Sequence, residues 1–250
     1  MIPLRDDVPS RTVPFVNYAL IALNVAVFVL ELGMGEGLER FLYQAAVIPS
    51  LFTGRDGSLG VGEAVATTFS ADLGLRVLTS MFLHGGWAHI IGNMLYLWIF
   101  GDNCEDRMGH VRYLVFYLLC GWAASYAHIA SDPTSRIPSI GASGAIAGVL
   151  GAYITMYPHA RVVAMLPLGF FMHMVQIPAL FFLGFWFLTQ FLYGAASITE
   201  RTVQTGGVAW WAHIGGFVAG LVLVWVFQNR SRRPARRDEW WQGGRVVRRG

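Results

Sequence analysis

The chain has 250 residues, of which 55% are hydrophobic and only 13% charged, and its mean hydropathy is +0.50. A soluble domain carries about 25% charged residues, so this composition excludes an ordinary water-soluble fold and points to a membrane. The pI near 9.1 does not signal a nucleic-acid partner, because the positive excess sits in Arg230–Arg249, directly after the last apolar segment, where it suits anionic lipid headgroups.

Windows free of charge run over 12–30, 77–101, 113–131, 137–160, 162–199 and 202–229. Each is long enough for a helix of about 20 residues to cross a roughly 30 Å hydrocarbon core. In the fifth window Pro167, Pro178 and the Gly169–His173 stretch predict a loop followed by one helix near 176–195. The expected fold class is an all-α membrane protein, a six-transmembrane-helix bundle with a long outer loop between helices 1 and 2. The expected division is an N-terminal arm over 1–13, a membrane domain over 14–229 and a basic tail over 230–250. The first window lacks a small-residue cleavage site and is as long as a span, so it reads as a span rather than a cleaved signal peptide. The long connection, 33–76, contains apolar or amphipathic stretches at Phe41–Ile48 and Val61–Phe69, suited to lying in the interface plane or supporting the bundle.

Every basic side chain other than histidine is arginine. With the N-terminus inside, thirteen arginines fall on inner segments, eight of them in the tail, and five on outer loops. Positive residues prefer the cytoplasmic side, which predicts that both termini are cytoplasmic. The all-arginine usage suits a GC-rich genome and so a bacterial plasma membrane. Cys104 and Cys120 read as unpaired thiols.

The chemistry lies in two of the windows. Gly141-Ala142-Ser143-Gly144 opens one, and Ala212-His213-Ile214-Gly215-Gly216 opens another, with Gly220 one turn further on. Counting back from the inner ends of these spans, near Tyr157 and Phe227, puts Ser143 and His213 each about 21 Å above that boundary at 1.5 Å per residue. Both lie level, several ångströms below the outer surface. A serine hydroxyl needs a base within about 3 Å to act as a nucleophile. Gly144, Gly148, Gly216 and Gly220, spaced by four, let two helix backbones approach closely. His89 and Asn93, also four apart, share one helix face and supply donors for a developing oxyanion. With no carboxylate near Ser143 or His213, nucleophile and base act as a dyad. The Gly-x-Ser-x-Gly elbow of soluble hydrolases is absent, since Ala145 takes its last position.

No His-Glu-x-x-His occurs and no carboxylate sits in a span core, so neither a metal nor any other cofactor is expected. His110, His128, His159 and His173 fall at span ends or loops and read as interfacial. Glu31 is expected to face the interface at the end of the first span. Glu105 and Arg107 are expected to tie the loop after the second span through hydrogen bonds and an ion pair. Trp98, Trp210 and Trp211 read as interfacial anchors.

Together these residues resemble the rhomboid family of intramembrane serine proteases, over most of 14–228. Gly141-Ala142-Ser143-Gly144 is similar to the family's nucleophile motif, and Ala212-His213-x-x-Gly216-x-x-x-Gly220 to its base motif. His89-x-x-x-Asn93 is similar to its oxyanion pair, and Gly101-x-x-x-Glu105-x-x-x-Gly109 to the loop after its second span. The resemblance implies a six-helix core and cofactor-free cleavage of membrane-anchored protein substrates in a water-filled cavity open to the outside. It further implies lateral access near the second and fifth helices, gated by the fifth helix and the following loop. Two positions depart from the family pattern. Leu75-Arg76 stands where members often carry Trp-Arg, so that Arg76 keeps only the loop-anchoring arginine. Ala147 stands where some members carry a tyrosine against the histidine ring, which leaves the group that holds His213 unnamed. The alternatives are a non-catalytic relative that binds membrane proteins, disfavoured by the intact Ser143, His213, His89 and Asn93, and a transporter, disfavoured by the lack of inverted repeats.

Overall fold

A computed structural model describes residues 1–54, 71–168, 171–199 and 209–229. The second apolar stretch of the long connection, most of the loop after the fifth window and the basic tail lie outside the described residues. The elements in chain order are β1 (Ile2–Arg5), α1 (Phe15–Gly33), a short 3₁₀ turn, α2 (Leu38–Ala45), α3 (Pro49–Thr53), α4 (Ala71–Ser80), α5 (Trp87–Met108) and α6 (His110–Ser131). They continue with α7 (Ser143–Met156), β2 (Arg161–Leu168), β3 (Phe171–Pro178), α8 (Ala179–Thr199) and α9 (Trp210–Phe227).

Among the described residues four helices are long and apolar enough to cross a membrane: α1, α6, α8 and α9. The other two expected spans differ in kind. α5 has the length but carries Asp102, Glu105, Asp106 and Arg107 in its last two turns. α7 has only 14 residues, a rise of about 21 Å.

The expectation of an entirely helical chain is corrected by a three-stranded antiparallel sheet in the order β1-β2-β3. The segment read as a loop is a hairpin, β2 and β3 pairing from Arg161↔Pro178 to Leu168↔Phe171. Its prolines misled the reading. β1 covers β2 only from Val163 to Met165, so Pro167 lies beyond that edge and costs no ladder bond there. Val162 and Ala164 alternate inward and are fully buried, while Phe171, Met172 and Met174 at the far end are exposed.

The N-terminal arm that supplies β1 then staples one end of the bundle. Ser10 Oγ donates to Asp102 at 2.9 Å, Thr12 N and Oγ1 donate to Asp106, and the Tyr153 hydroxyl of α7 donates to Asp6. Asn103 Nδ2 donates to the same Asp6 oxygen at 2.8 Å. Desolvation between these groups pushes the Asp6 carboxyl up from its ordinary value to about 7, against the opposing pull of the Tyr153 hydrogen bond. Glu105 accepts from Val16 N at 3.0 Å and Asn17 N at 2.7 Å, so a carboxylate from α5 caps the first turn of α1. Its side-chain partner is His110 rather than the expected Arg107, whose Nε and Nη1 find no partner among the described residues.

The core is aromatic, with Phe100, Tyr113, Phe116, Tyr117 and Tyr153 fully buried. Asn17 and Tyr113 pair inside it, as an apolar surrounding favours: Asn17 Nδ2 donates to the Leu97 carbonyl and the Tyr113 hydroxyl donates to Asn17 Oδ1, while the Tyr117 hydroxyl finds no partner among the described residues. Cys104 and Cys120 are buried free thiols.

Candidate active site

The serine end of the bundle is built on a stack of local constraints. α7 starts at Ser143, which puts the hydroxyl in the first turn of a helix, beside N–H groups that have no intrahelical partner. The chain reaches that turn through Gly141, whose φ of +123° is a conformation that side-chain-bearing residues rarely adopt. A Cβ there would lie 2.7 Å from His89 Nε2 and 3.7 Å from Asn93 Nδ2, so glycine lets the loop sit against both groups. Gly141 N donates to the Ser80 carbonyl at 2.8 Å. The approach loop is held from outside by α2–α4: Val47 and Ser139 exchange backbone bonds, Ser50 N donates to Ser135 O, and Thr53 Oγ1 donates to Pro133 O. Arg76 Nη1 donates to the Tyr43 carbonyl at 2.9 Å, joining α4 to α2.

His213, in the first turn of α9, brings Nε2 to 2.8 Å from Ser143 Oγ. The two helices that carry them touch backbone to backbone. A Cβ on Gly216 would lie 1.9 Å from the Gly144 carbonyl oxygen, and one on Gly220 would lie 2.0 Å from that of Gly148. These are separations at which only a Cα hydrogen fits, in the manner of a Cα–H···O contact. Gly144 and Gly148 turn their own hydrogens toward a third helix, α6, against Ala124 and Cys120. The spacing did not expose Gly151, whose added Cβ would meet Phe217 O at 2.3 Å.

His89 and Asn93 sit on α5 across from Gly141. Gly85 N donates to His89 Nδ1 at 3.4 Å, which leaves the proton on Nε2, the nitrogen facing the loop. Asn93 Nδ2 lies 3.0 Å from His84 Nε2. Because His84 Nδ1 is 3.3 Å from the Phe82 carbonyl, it is the donor there, and His84 Nε2 accepts from Asn93. One Asn93 N–H remains for the site. The same His84 presents its backbone N–H to both oxygens of Glu31 at 3.2 Å. Glu31 is therefore buried, 2% exposed, and not at the interface as expected; a carboxylate among apolar helices needs such a donor.

Sequence reasoning missed three further groups around His213. Gln190 Oε1 of α8 lies 2.8 Å from His213 Nδ1. The Trp186 ring lies 5.8 Å from the imidazole at an interplanar angle of 35°, and Trp210 meets it edge-on at 6.3 Å and 89°. Trp210, read as an anchor, is a wall of the site. These groups surround the imidazole where Ala147, fully buried, offers no ring. A serine hydroxyl against an imidazole nitrogen, with side-chain and helix-terminal donors a few ångströms away, is equipped for nucleophilic attack on an acyl carbon. Beside Ser143 a small cavity of about 20 Å³ is lined also by Ser80, Ser125 and Ser139; that volume holds one water.

Residues 73–230 match the model of the rhomboid domain. The chain belongs to the rhomboid family. It is 27% identical over 235 residues to the mitochondrial rhomboid protein 1 of Saccharomyces cerevisiae, covering 90% of this chain and 58% of that one. To the rhomboid protease GluP of Bacillus subtilis it is 36% identical over 148 residues, 59% of this chain and 26% of GluP. RHOMBOID-like protein 4 of Arabidopsis thaliana is 31% identical over 241 residues, 87% of this chain and 53% of that relative. The chain thus spans between about a quarter and somewhat over half the length of these relatives. Apolar helices and family together make this rhomboid an integral membrane protein. Relatives in a mitochondrion, a bacterium and a plant give no support to a bacterial plasma membrane in particular.

Proposed function

We propose that this rhomboid is an intramembrane serine endopeptidase that cuts membrane-anchored protein substrates through a Ser143–His213 dyad. The observation that carries the reading is the 2.8 Å contact between Ser143 Oγ and His213 Nε2. In the first half-reaction Ser143 Oγ bonds to the scissile carbonyl carbon as its proton passes to His213 Nε2. The oxyanion that forms is held by His89 Nε2–H, the free Asn93 N–H and the unpaired N–H groups of the first turn of α7. Collapse expels the amine, which takes the proton from His213, and leaves an acyl-serine. Water then gives its proton to His213 and attacks the ester, and the proton returns to Ser143 as the carboxylate product leaves. No metal or other cofactor takes part.

In this reading α5 and α7 complete six embedded helices. α5 keeps its charges at the arm end, and α7 is short because the approach loop dips inward to meet it. Arg76, Glu105 and Arg107 serve the scaffold, and the four motif glycines set the dyad distance. Arm and tail face the cytoplasm, flanking a membrane domain over 14–229. The test is labelling by a fluorophosphonate together with cleavage of a tethered transmembrane substrate in proteoliposomes. Wild type is expected to be labelled and to cleave, and Ser143→Ala to do neither while unfolding at the same temperature. Wild-type turnover by Ser143→Ala would sink the reading.

A further inference from the structure

His213 can carry its proton on either nitrogen, and only one tautomer serves a base: Nε2 must be bare to accept from Ser143. Among the described residues nothing on α9 or α7 settles this, and no carboxylate does so. The deciding contact comes from α8. Gln190 is 7% exposed, and both ends of its amide are committed. Its Nε2 donates to the Trp186 carbonyl at 3.3 Å and to Thr189 Oγ1 at 3.1 Å. The Thr189 hydroxyl in turn spends its proton on the Trp186 carbonyl at 2.7 Å, so Thr189 Oγ1 has a lone pair free to accept from Gln190.

A flipped amide would set Gln190 Oε1 against the Trp186 carbonyl, acceptor against acceptor. The amide orientation is therefore fixed by its neighbours. Oε1 faces His213 Nδ1 at 2.8 Å, and an amide oxygen can only accept. Nδ1 must carry the proton, and the bare nitrogen is the one 2.8 Å from Ser143 Oγ. We infer that Gln190 is the positioning residue of this site: it fixes the His213 tautomer and ring orientation, adding an orienting third member to the dyad so that the site is spread over α7, α9 and α8. Because Gln190 is neutral, it orients the ring and keeps an acceptor in place when the imidazole becomes positive. It never needs to take up a proton.

The inference rests on the reading of Ser143 and His213 as nucleophile and base, and two measurements separate its failure from theirs. The first is the ¹⁵N spectrum of histidine-labelled protein, with His213 assigned by its loss in His213→Gln. Wild type is expected to show protonated Nδ1 and bare Nε2. A wild-type spectrum with protonated Nε2, or an even mixture, would overturn the proposal whatever the activity. The second is a kinetic comparison with Gln190→Met, which keeps length and volume but loses the oxygen. A hydrogen bond to a group that becomes charged predicts a loss of about ten- to a hundredfold in kcat with KM unchanged, and Gln190→Glu should recover most of it. A folded Gln190→Met enzyme with wild-type kcat would remove Gln190 from the mechanism, as would failure of Gln190→Glu to recover activity. Turnover without Ser143, by contrast, would remove the dyad and leave the tautomer result standing.

Discussion

α9, which carries His213, meets two of its neighbours, α7 and α8, by opposite means. Toward α7 it shows Gly216 and Gly220, and backbone touches backbone with no side chain between. Toward α8 it shows rings: Phe187 stacks on Phe217 at 4.6 Å and 24°, and Tyr193 stacks on Trp210 at 4.8 Å and 24°. In a membrane apolar burial does not drive helices together, since lipid tails are as apolar as the side chains they replace. What remains is close packing and polar contact. The glycine seam gains the first and sets the Ser143–His213 distance rigidly. The aromatic seam can yield by rotating a ring, and a polar contact within it, Gln190 to His213, orients the imidazole.

The largest expected effect breaks the glycine seam. Gly220→Val puts carbon where the Gly148 carbonyl oxygen stands 2.0 Å away, and a backbone atom cannot swing aside. Thermal unfolding in detergent should show a loss of about 3 kcal/mol, and activity should fall at least about a hundredfold as the dyad separates. A variant as stable and active as wild type would mean that α7 and α9 do not pack through this face.

Phe187→Ala tests the other seam. Losing one stacked pair should cost about 1 kcal/mol and change turnover by no more than about threefold. A collapse as deep as that of Gly220→Val would erase the distinction between the seams.

The arm end of the glycine seam offers a pH test, because Asp6 accepts from Tyr153 near the end of α7. Its carboxyl is raised to about 7 in the folded protein, against roughly 3.9 in an unfolded chain. The folded state therefore binds the proton more tightly, and docking of the arm weakens as pH rises from about 4 through about 7 and then levels off. Hydrogen exchange over residues 2–8, corrected for the intrinsic rate, should show a better protected arm at pH 5 than at pH 8. Asp6→Asn, which imitates the protonated form, should flatten the difference. Equal protection of the wild-type arm at both values would refute the assignment.

The smallest effect is a control on α8 itself. A Cβ on Gly184 would meet nothing within 4 Å. Gly184→Ala should stay within about 0.5 kcal/mol of wild type with unaltered cleavage. A marked loss would show that this part of α8 packs more tightly than the ring contacts imply.

Much of the site was legible because its residues recur at helical spacing. His89 and Asn93 are four apart, as are Gly216 and Gly220, and the distance from Ser143 and from His213 to the end of its own helix is a count at 1.5 Å per residue. Apolar windows foretold the long helices for the same reason. Illegible were the contacts in which two elements meet by chance of crossing: Glu31 beneath the His84 backbone, His84 on Asn93, and the arm strand on a hairpin some 160 residues away in sequence. The β2–β3 hairpin itself was lost to its prolines, whose cost depends on where the neighbouring strand ends.

Within one helix, geometry is fixed by the backbone hydrogen bonds, so the sequence by itself determined the membrane character, the two motifs and the faces their glycines share. Which rotation and tilt each helix takes against the next is set by packing of the whole bundle, and no local period encodes it. Gln190 shows the boundary. On α8 it is one amide among apolar residues, 23 positions from His213. Only the docking of α8 on α9 made it the partner of His213, because that docking alone brings Oε1 within hydrogen-bond reach of Nδ1.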